Sequence, residues 1–332
     1  MPELRKDPIV GRWVIISTER GNRPGNWREK HEPVDDGFCP FCPGNEDKTP
    51  AEVFAIRKHD LGPNMPDWDI RVVPNKFPAL QIEGEDYRRG EGLYDLMNGV
   101  GAHEVVIETP DHGLEFSDYP EEQIVQILLA YRERMLDLKK DKRFKYILVF
   151  KNHGRAAGAS LEHPHSQLIA TPILPKRVVE EIEGSRLHFA RKERCIFCDI
   201  LHQESSSGKR TIAQNDHFVA IAPFAPRFPY ECWILPSTHF SHFECMESTH
   251  YDELAAIMKT VLRKINKALT RPPYNFILHS MPVQDDIAPE YHWHLEIIPK
   301  LTRIAGFEWG SGFYINPVSP EDAARQLREA DG

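Results

Sequence analysis

His163-Pro164-His165-Ser166-Gln167 sits between two strand-like runs, Tyr146-Ile147-Leu148-Val149-Phe150 before it and Leu168-Ile169-Ala170-Thr171 after it. Alternate side chains of an extended segment share a face. His163 and His165 therefore point the same way, with Gln167 beside them. One imidazole can be anchored while its neighbour does chemistry on the same surface. The pattern returns near the C-terminus as His292-Trp293-His294. That echo turns a short motif into an architecture.

Working outward, each half of the chain follows one script. Cys39-Pro40-Phe41-Cys42 opens the first. A strand-like run His103–Glu108 leads to Asp111-His112. A helix with Pro120 near its start follows, with Ile124, Ile127, Leu128, Tyr131, Met135 and Leu138 on one face. The strand Tyr146–Phe150 and a loop then reach His163-x-His165. In the second half Cys195-Ile196-Phe197-Cys198 opens, and Cys232–Leu235 leads to Ser237-Thr238-His239. A helix capped near Ser248 or Thr249 carries Leu254, Ile257, Met258, Val261, Leu262 and Ile265. The strand Asn275–Leu278 and a loop reach His292-x-His294. His163 follows His112 by 51 residues, and His292 follows His239 by 53. The gap from cysteine pair to histidine is longer in the first half, so an insertion is expected around 63–92, which is rich in Pro, Gly and charge. A linker is expected near Pro172 to Glu183. Each half reads as antiparallel strands plus a helix, an α+β class, with domains at 1–175 and 176–332.

Two thiolates and two imidazoles complete a tetrahedral zinc shell. Cys39, Cys42, His112 and His163 make one such set, and Cys195, Cys198, His239 and His292 make another. Both would be closed structural sites. A competing set in the second half, Glu181, His279, His292 and His294, is suited to zinc or iron; the cysteine set is preferred because it mirrors the first half. A thioredoxin-type redox pair opens a helix, and neither cysteine pair shows a helical apolar period after it, which argues against redox chemistry. Cys232 and Cys245 read as buried thiols.

His165 is left free of the metal. A neutral imidazole is a competent nucleophile towards phosphorus. Pro164 stiffens its presentation, and Gln167 can donate to a phosphoryl oxygen. Upstream, Asn152-His153-Gly154-Arg155-Ala156-Ala157-Gly158-Ala159-Ser160 is a small-residue loop whose backbone N–H groups can approach phosphates, with Arg155 and Ser160 as further donors.

Composition narrows the partners. The 332 residues carry a net charge of −9 with 41% hydrophobic and 27% charged residues. That balance argues against non-specific binding to nucleic acid or anionic membrane. No apolar run approaches the ~20 residues of a membrane helix, and the N-terminus leads into no secretory h-region, so a cytoplasmic location is expected. A non-enzymatic reading, two zinc knuckles binding nucleic acid or protein, calls for basic, aromatic surroundings. Glu32, Asp35, Asp36, Glu46 and Asp47 around the first pair are acidic instead.

Over nearly its whole length the chain resembles the galactose-1-phosphate uridylyltransferase family of the histidine-triad superfamily. The resemblance rests on Phe150-x-Asn152-x-Gly154, Gly158-x-Ser160 and His163-Pro164-His165-x-Gln167. It implies two tandem histidine-triad-like domains, antiparallel half-barrel sheets with helices packed on them. It implies that His165 becomes nucleotidylated, that His163 binds zinc, that Gln167 bonds the transferred phosphoryl group and that Ser160 contacts the diphosphate, with Asn152 and Gly158 in the same binding loop. An Arg-x-x-Arg-Pro stretch, here Arg20, Arg23 and Pro24, implies phosphate contacts across a homodimer interface, and Asn75 and Phe77 imply contacts near the ribose. The implied reaction is UDP-glucose:hexose-1-phosphate uridylyl transfer with ping-pong kinetics.

The chain departs from the family pattern in three places. Ser166 stands where Gly is usual, Lys76 where an acidic residue is, and Gly310–Asn316 where a hexose-binding Gln lies. The Gly310–Asn316 segment, Ser166 and the second cysteine pair, Cys195 and Cys198, look closer to the ADP-glucose phosphorylase-like branch, in which an adenylyl group passes to inorganic phosphate, and to bacterial uridylyltransferase-like relatives. In the second copy, Leu295 and Glu296 replace Ser and Gln, and the loop Met281–Asp286 is acidic, which repels a diphosphate. That half is expected to be scaffold, with Lys300, Arg303 and the Gly310–Asn316 segment as candidates for the incoming sugar phosphate.

Overall fold

The computed structural model describes residues 2–22, 37–59, 61–285 and 287–330. After β1 (Glu3–Lys6) and β2 (Trp13–Ile16) the first half builds β3 (Phe54–Arg57), β4 (Trp68–Pro74), a hairpin of β5 (Arg88–Glu91) and β6 (Tyr94–Met97), then β7 (Ala102–Ile107), α1 (Glu121–Leu138), β8 (Tyr146–His153) and β9 (His165–Thr171). The second half builds α2 (Lys176–Lys192), α3 (Ile196–Ser207), β10 (Thr211–Gln214), β11 (Phe218–Ile221), β12 (Cys232–Pro236), α4 (Tyr251–Leu269), β13 (Tyr274–His279) and β14 (His294–Pro299). The chain ends with α5 (Gly306–Ser311), β15 (Tyr314–Asn316) and α6 (Pro320–Glu329).

The α+β class read from the sequence is what the chain forms, and the duplication is visible in the sheet. Ten strands run in the order β10-β11-β12-β14-β13-β8-β9-β7-β4-β3. From the centre outward each half repeats the same five: β8-β9-β7-β4-β3 on one side, β13-β14-β12-β11-β10 on the other. The halves join where β8 pairs antiparallel with β13, Asn152 opposite Asn275 and Val149 opposite Leu278. Two half-sheets thus share one hydrogen-bond ladder.

Strand alternation sorts side chains between the faces. On one face Ile147, Val149, Cys232 and Ile234 join the main core beneath α1 and α4. The six α1 positions and six α4 positions singled out by periodicity are all buried there. On the other face, Tyr146, Trp233 and Leu235 pack under α2 and α3 together with Tyr291. Within the first half, that same face carries Val105, Ile107 and Phe41 in a small separate cluster. Gly184 lets α2 cross the N-terminal segment, because a Cβ there would lie 1.9 Å from the Ile9 carbonyl oxygen.

Several expectations are corrected. The segment read as a linker is mostly α2, which starts at Lys176 after Pro175; the charge run is its exposed face. A helix does follow Cys195, since Ile196, Phe197 and Leu201 bury one side of α3; the helical argument against redox chemistry therefore fails for this pair. The long connection between β4 and β7, residues 75–101, holds the β5–β6 hairpin; it overlaps the insertion expected at 63–92 and runs past its end. A 3₁₀ turn at Ser248–His250 leads into α4, and neither Ser248 nor Thr249 caps it. Cys232 is buried but Cys245 is exposed. Gly310–Asn316 is no free loop: it completes α5 and then forms β15, which pairs parallel with β2. No helix among the described residues is long and apolar enough to cross a membrane.

Candidate active site and metal centres

His165 opens β9 opposite Ile107, and Gln167 lies opposite Val105. Both therefore stand on the face away from α1. Ser166 points the other way, fully buried, where the Tyr131 hydroxyl of α1 donates to its Oγ at 2.6 Å.

The His165 tautomer is fixed. Its Nδ1 lies 2.8 Å from the His163 carbonyl oxygen. A carbonyl can only accept, so Nδ1 carries the proton and Nε2 keeps its lone pair. Burial pushes the imidazolium pKa down to about 4, so the ring is neutral near pH 7. Phe41, from the middle of the first cysteine pair, packs edge-to-face against His165, with ring centroids 5.4 Å apart. The metal knuckle thus supplies a wall of the nucleophile's pocket. The equivalent Phe197 stands 5.0 Å from His294. A shared Phe in both Cys-x-Phe-Cys sequences was the available signal for this role.

Behind the strand lies an ion pair that no motif announced. Lys151, 1% exposed, donates to Glu108 at 2.6 Å and to the His165 carbonyl at 3.1 Å. Tyr119 donates to the same Glu108 oxygen at 3.3 Å. Removing one partner of such a pair strands a buried charge, at a cost of about 3–5 kcal/mol. Glu108→Gln is thus expected to lower chemical-denaturation stability by that amount, and Lys151→Met/Glu108→Gln to recover most of it.

The small-residue loop leaves β8 at Asn152 and returns through a 3₁₀ turn at Arg155–Ala157. Gly154 has φ +80°, and a Cβ on it would meet the Pro273 ring at 3.0 Å. Asn275 of β13 donates to Asn152 Oδ1 at 2.7 Å and to the Ala157 carbonyl at 2.8 Å. The second half therefore braces the loop of the first. Gly158, at φ +93°, closes the turn, and Ser160 is exposed beyond it.

The other expected contacts are spread more widely. Asn75 Oδ1 accepts from the Phe77 N–H at 2.9 Å, and Phe77 is 85% exposed. Arg20 lies in a 3₁₀ turn, Thr18–Asn22; Arg23 and Pro24 lie outside the described residues. The Lys300 N–H donates to the Pro273 carbonyl at 2.7 Å, which puts its backbone at the loop's end of the sheet. Its ammonium, however, lies 5.1 Å over the Phe228 ring. Arg303 is exposed on the segment that follows.

Both cysteine sets assemble. In each, one ligand atom from every residue lies within 4.8 Å of all the others. Cys42 Sγ is 3.4 Å from His112 Nδ1 and 3.5 Å from His163 Nδ1. Cys198 Sγ is 3.4 Å from His239 Nδ1 and 3.5 Å from His292 Nδ1. A tetrahedral zinc with ordinary Zn–S and Zn–N bonds has an S···N edge of about 3.6 Å. The second nitrogens are also set for ligation. His163 Nε2–H donates to Thr109 O at 2.8 Å, His239 Nε2–H to Ala288 O at 3.1 Å, and His292 Nε2–H to Pro236 O at 3.0 Å. Such carbonyl partners fix the tautomer that leaves Nδ1 for a metal. Burial and the neighbouring Cys39 push the Cys42 thiol up to about 11, an arrangement that a cation between the sulfurs reverses. The donor sets fit zinc.

His292 belongs to the cysteine set, and Glu181, His279 and His294 form a separate group. There His279 and His294 stack at 4.5 Å, and Glu181 Oε2 sits 3.1 Å from His279 Nδ1. Burial opposes charge on His279, but Glu181 and Glu296 raise its pKa to about 10. His294 is enclosed by Phe197, Trp233 and His279. Glu296, two residues on, stands where Gln167 stands in the first half and is bonded by Arg227 and Trp233 Nε1. His294 is thus packed among aromatic rings, with a carboxylate in place of the Gln167 amide. His294→Leu is accordingly expected to leave nucleotidyl transfer within about 3-fold of the parent, because a side chain that touches no reacting group contributes no transition-state binding; initial-rate assays check it.

This site can be set against known proteins. The family model for the N-terminal domain of galactose-1-phosphate uridyl transferase matches residues 1–175. The chain belongs to that family. A family described only as a domain of unknown function matches residues 121–330. Across 99% of the chain and 93% of the relative's length, 39% of residues are identical to an ADP-glucose phosphorylase of Arabidopsis thaliana. Across 100% of the chain and 99% of the relative's, 33% are identical to a galactose-1-phosphate uridylyltransferase of Thermotoga maritima. A crystal structure of the Arabidopsis ADP-glucose phosphorylase with bound ADP-glucose superposes over 100% of both chains, with a TM-score of 0.86 and 37% identity. A uridylyltransferase structure matches with a TM-score of 0.79 and 30% identity, covering 99% of this chain and 98% of the other. This chain is therefore a family nucleotidyltransferase.

Proposed function

We propose that the chain transfers an adenylyl group from ADP-glucose to inorganic phosphate through a covalent adduct on His165. The observation that carries the transfer chemistry is the neutral, tautomer-fixed imidazole with Nε2 free on the face it shares with Gln167. The choice of base rests on the greater identity to the ADP-glucose phosphorylase than to the Thermotoga uridylyltransferase. The sequence alone put uridylyl transfer first; these relatives move the adenylyl reading ahead of it.

In the first step the Nε2 lone pair attacks the α-phosphorus and the bond to glucose 1-phosphate breaks. The leaving group departs as an anion, so no proton need be supplied. In the second step a phosphate oxygen attacks the same phosphorus, the N–P bond breaks, and ADP leaves with His165 restored. Gln167 donates to the transferred phosphoryl group. Asn152, Gly158 and Ser160 hold the diphosphate, while Asn75, Phe77 and Arg20 approach the nucleotide end. Lys300 and Arg303 serve the acceptor. Zinc held by Cys39, Cys42, His112 and His163, and a second ion held by Cys195, Cys198, His239 and His292, would be structural, because closed four-ligand sites leave no position for water. The first set fixes His163, and His163 in turn holds the His165 ring.

A second reading keeps the adduct and changes the substrates: UDP-glucose as donor and galactose 1-phosphate as acceptor. The identity to the Thermotoga uridylyltransferase favours it. Initial rates with each donor paired with each acceptor separate the two. The adenylyl reading expects the ADP-glucose and phosphate pair to be fastest by at least about tenfold, a difference of about 1.4 kcal/mol in transition-state binding. Faster turnover of the UDP-glucose and galactose 1-phosphate pair would reverse the order.

A further inference from the structure

Gln167 can help a phosphoryl transfer only if its NH2 group, and not its carbonyl oxygen, faces the phosphorus. A free glutamine amide flips easily, so something must choose. The choice is made on β7. The backbone N–H of Ala79 donates to His103 Nδ1 at 3.1 Å. A backbone donor cannot be flipped, so Nδ1 is unprotonated and Nε2 carries the hydrogen. His103 Nε2 lies 2.7 Å from Gln167 Oε1. The Nε2–H therefore donates to that oxygen and leaves the Gln167 NH2 for a ligand. Asn75 joins the same hub. Its N–H donates to the His103 carbonyl at 2.8 Å, and its Nδ2 reaches within 3.2 Å of Nε2. With the single Nε2 hydrogen given to Gln167, the Asn75 NH2 makes a contact with Nε2 and no hydrogen bond to it; its orientation is set by Oδ1, which accepts from the Phe77 N–H at 2.9 Å.

The duplication supplies a comparison within one molecule. In the first half Gln167 pairs with Val105, two residues beyond His103. In the second, Glu296 pairs with Trp233, two residues beyond Glu231. Glu231 thus holds the His103 position in the half where the Trp233 ring packs against His294. There the carboxylates Glu231 and Glu296 share Arg227. Beside His294 the pair is a charge clamp; beside His165 it is a histidine donor aimed at an amide oxygen.

We infer that His103 is a positioning residue for nucleotidyl transfer, holding the Gln167 amide in the one orientation that can donate to the transferred phosphoryl group. This rests on the His165 adduct proposed above. It also assigns a task to a residue on which the sequence offered no motif.

The test is adduct formation by rapid-quench mass spectrometry with ADP-glucose, in the parent, His103→Leu, His103→Gln, Gln167→Ala and His103→Leu/Gln167→Ala. Gln places an N–H donor near the position of the histidine Nε2. His103→Leu is expected to slow adduct formation by roughly 30-fold or more, somewhat less than the roughly 100-fold cost of removing a transition-state donor outright because the Gln167 amide is kept, with the ADP-glucose dissociation constant changed less than about 3-fold. His103→Gln is expected to restore most of the rate. In the Gln167→Ala background, His103→Leu is expected to cost less than about 2-fold further, because it acts through an amide no longer present. A full additional loss in that background, a loss confined to binding, or a His103→Gln variant no faster than His103→Leu would each overturn the inference. No adduct in the parent, with ADP-glucose or UDP-glucose, would instead remove the transferase reading on which it stands.

Discussion

Replacing His165 with alanine or glycine is expected to lower turnover by about 10⁴-fold or more, the scale seen when a covalent nucleophile is removed. No neighbouring imidazole can take over. His163 spends Nε2 on the Thr109 carbonyl and turns Nδ1 towards Cys42. His153 stacks on Tyr274 at 4.8 Å. His103 is committed to Ala79 and Gln167. The loss should fall on kcat, with nucleotide-sugar binding kept, and the measurement is steady-state turnover beside a binding isotherm. Zinc content and melting temperature serve as folding controls, because the His165 ring makes its ring-nitrogen hydrogen bond to its own chain two residues back. Retained turnover in either variant would show that the nucleophile lies elsewhere.

The second large effect is on stability. Cys42→Ser is expected to remove one of two zinc equivalents and to lower the melting temperature by roughly 10 °C, since structural zinc contributes several kcal/mol of folding free energy and each is worth a few degrees in a chain of this size. Activity should fall with it. Cys42 Sγ lies within 3.5 Å of both His112 Nδ1 and His163 Nδ1, and the knuckle it closes carries Phe41 against His165. Cys198→Ser is expected to lose a zinc equivalent too, but with a smaller effect on adduct formation, because its set anchors His292 and not His163. Zinc quantified in each purified variant, with calorimetry, reads both effects. An unchanged metal content in Cys42→Ser would contradict the assignment of that set.

Much of the site was legible because its signals are local or repeated. Alternation alone placed His165 and Gln167 on one face. The duplicated order of ligands brought Cys39 together with His112 and His163, although their separations are long. The helical faces of α1 and α4 were readable because an apolar stripe of period 3.6 has few competing explanations. What escaped the sequence was set by tertiary contact. Lys151 reads as an ordinary charge at the end of a strand, and only the fold places Glu108 beneath it. His103 reads as one of 16 histidines; its importance comes from a backbone N–H that an insertion, the segment from Asn75 to Gly101, folds back onto it. Asn275 braces the phosphate loop across the junction of two half-sheets, a pairing that no spacing encodes. The α2 helix was hidden because its buried stripe is narrow, only Val178, Ile182 and Ser185 being buried, and the rest is charge that looks like linker.

The central claim is covalent. Enzyme mixed with an excess of ADP-glucose, without acceptor, and quenched in base should carry at most one adenylyl mass per chain. Peptide mapping should place it on His165, and added phosphate should discharge it as ADP. An adduct on another residue, or turnover to ADP with no adduct under any quench, would contradict the account.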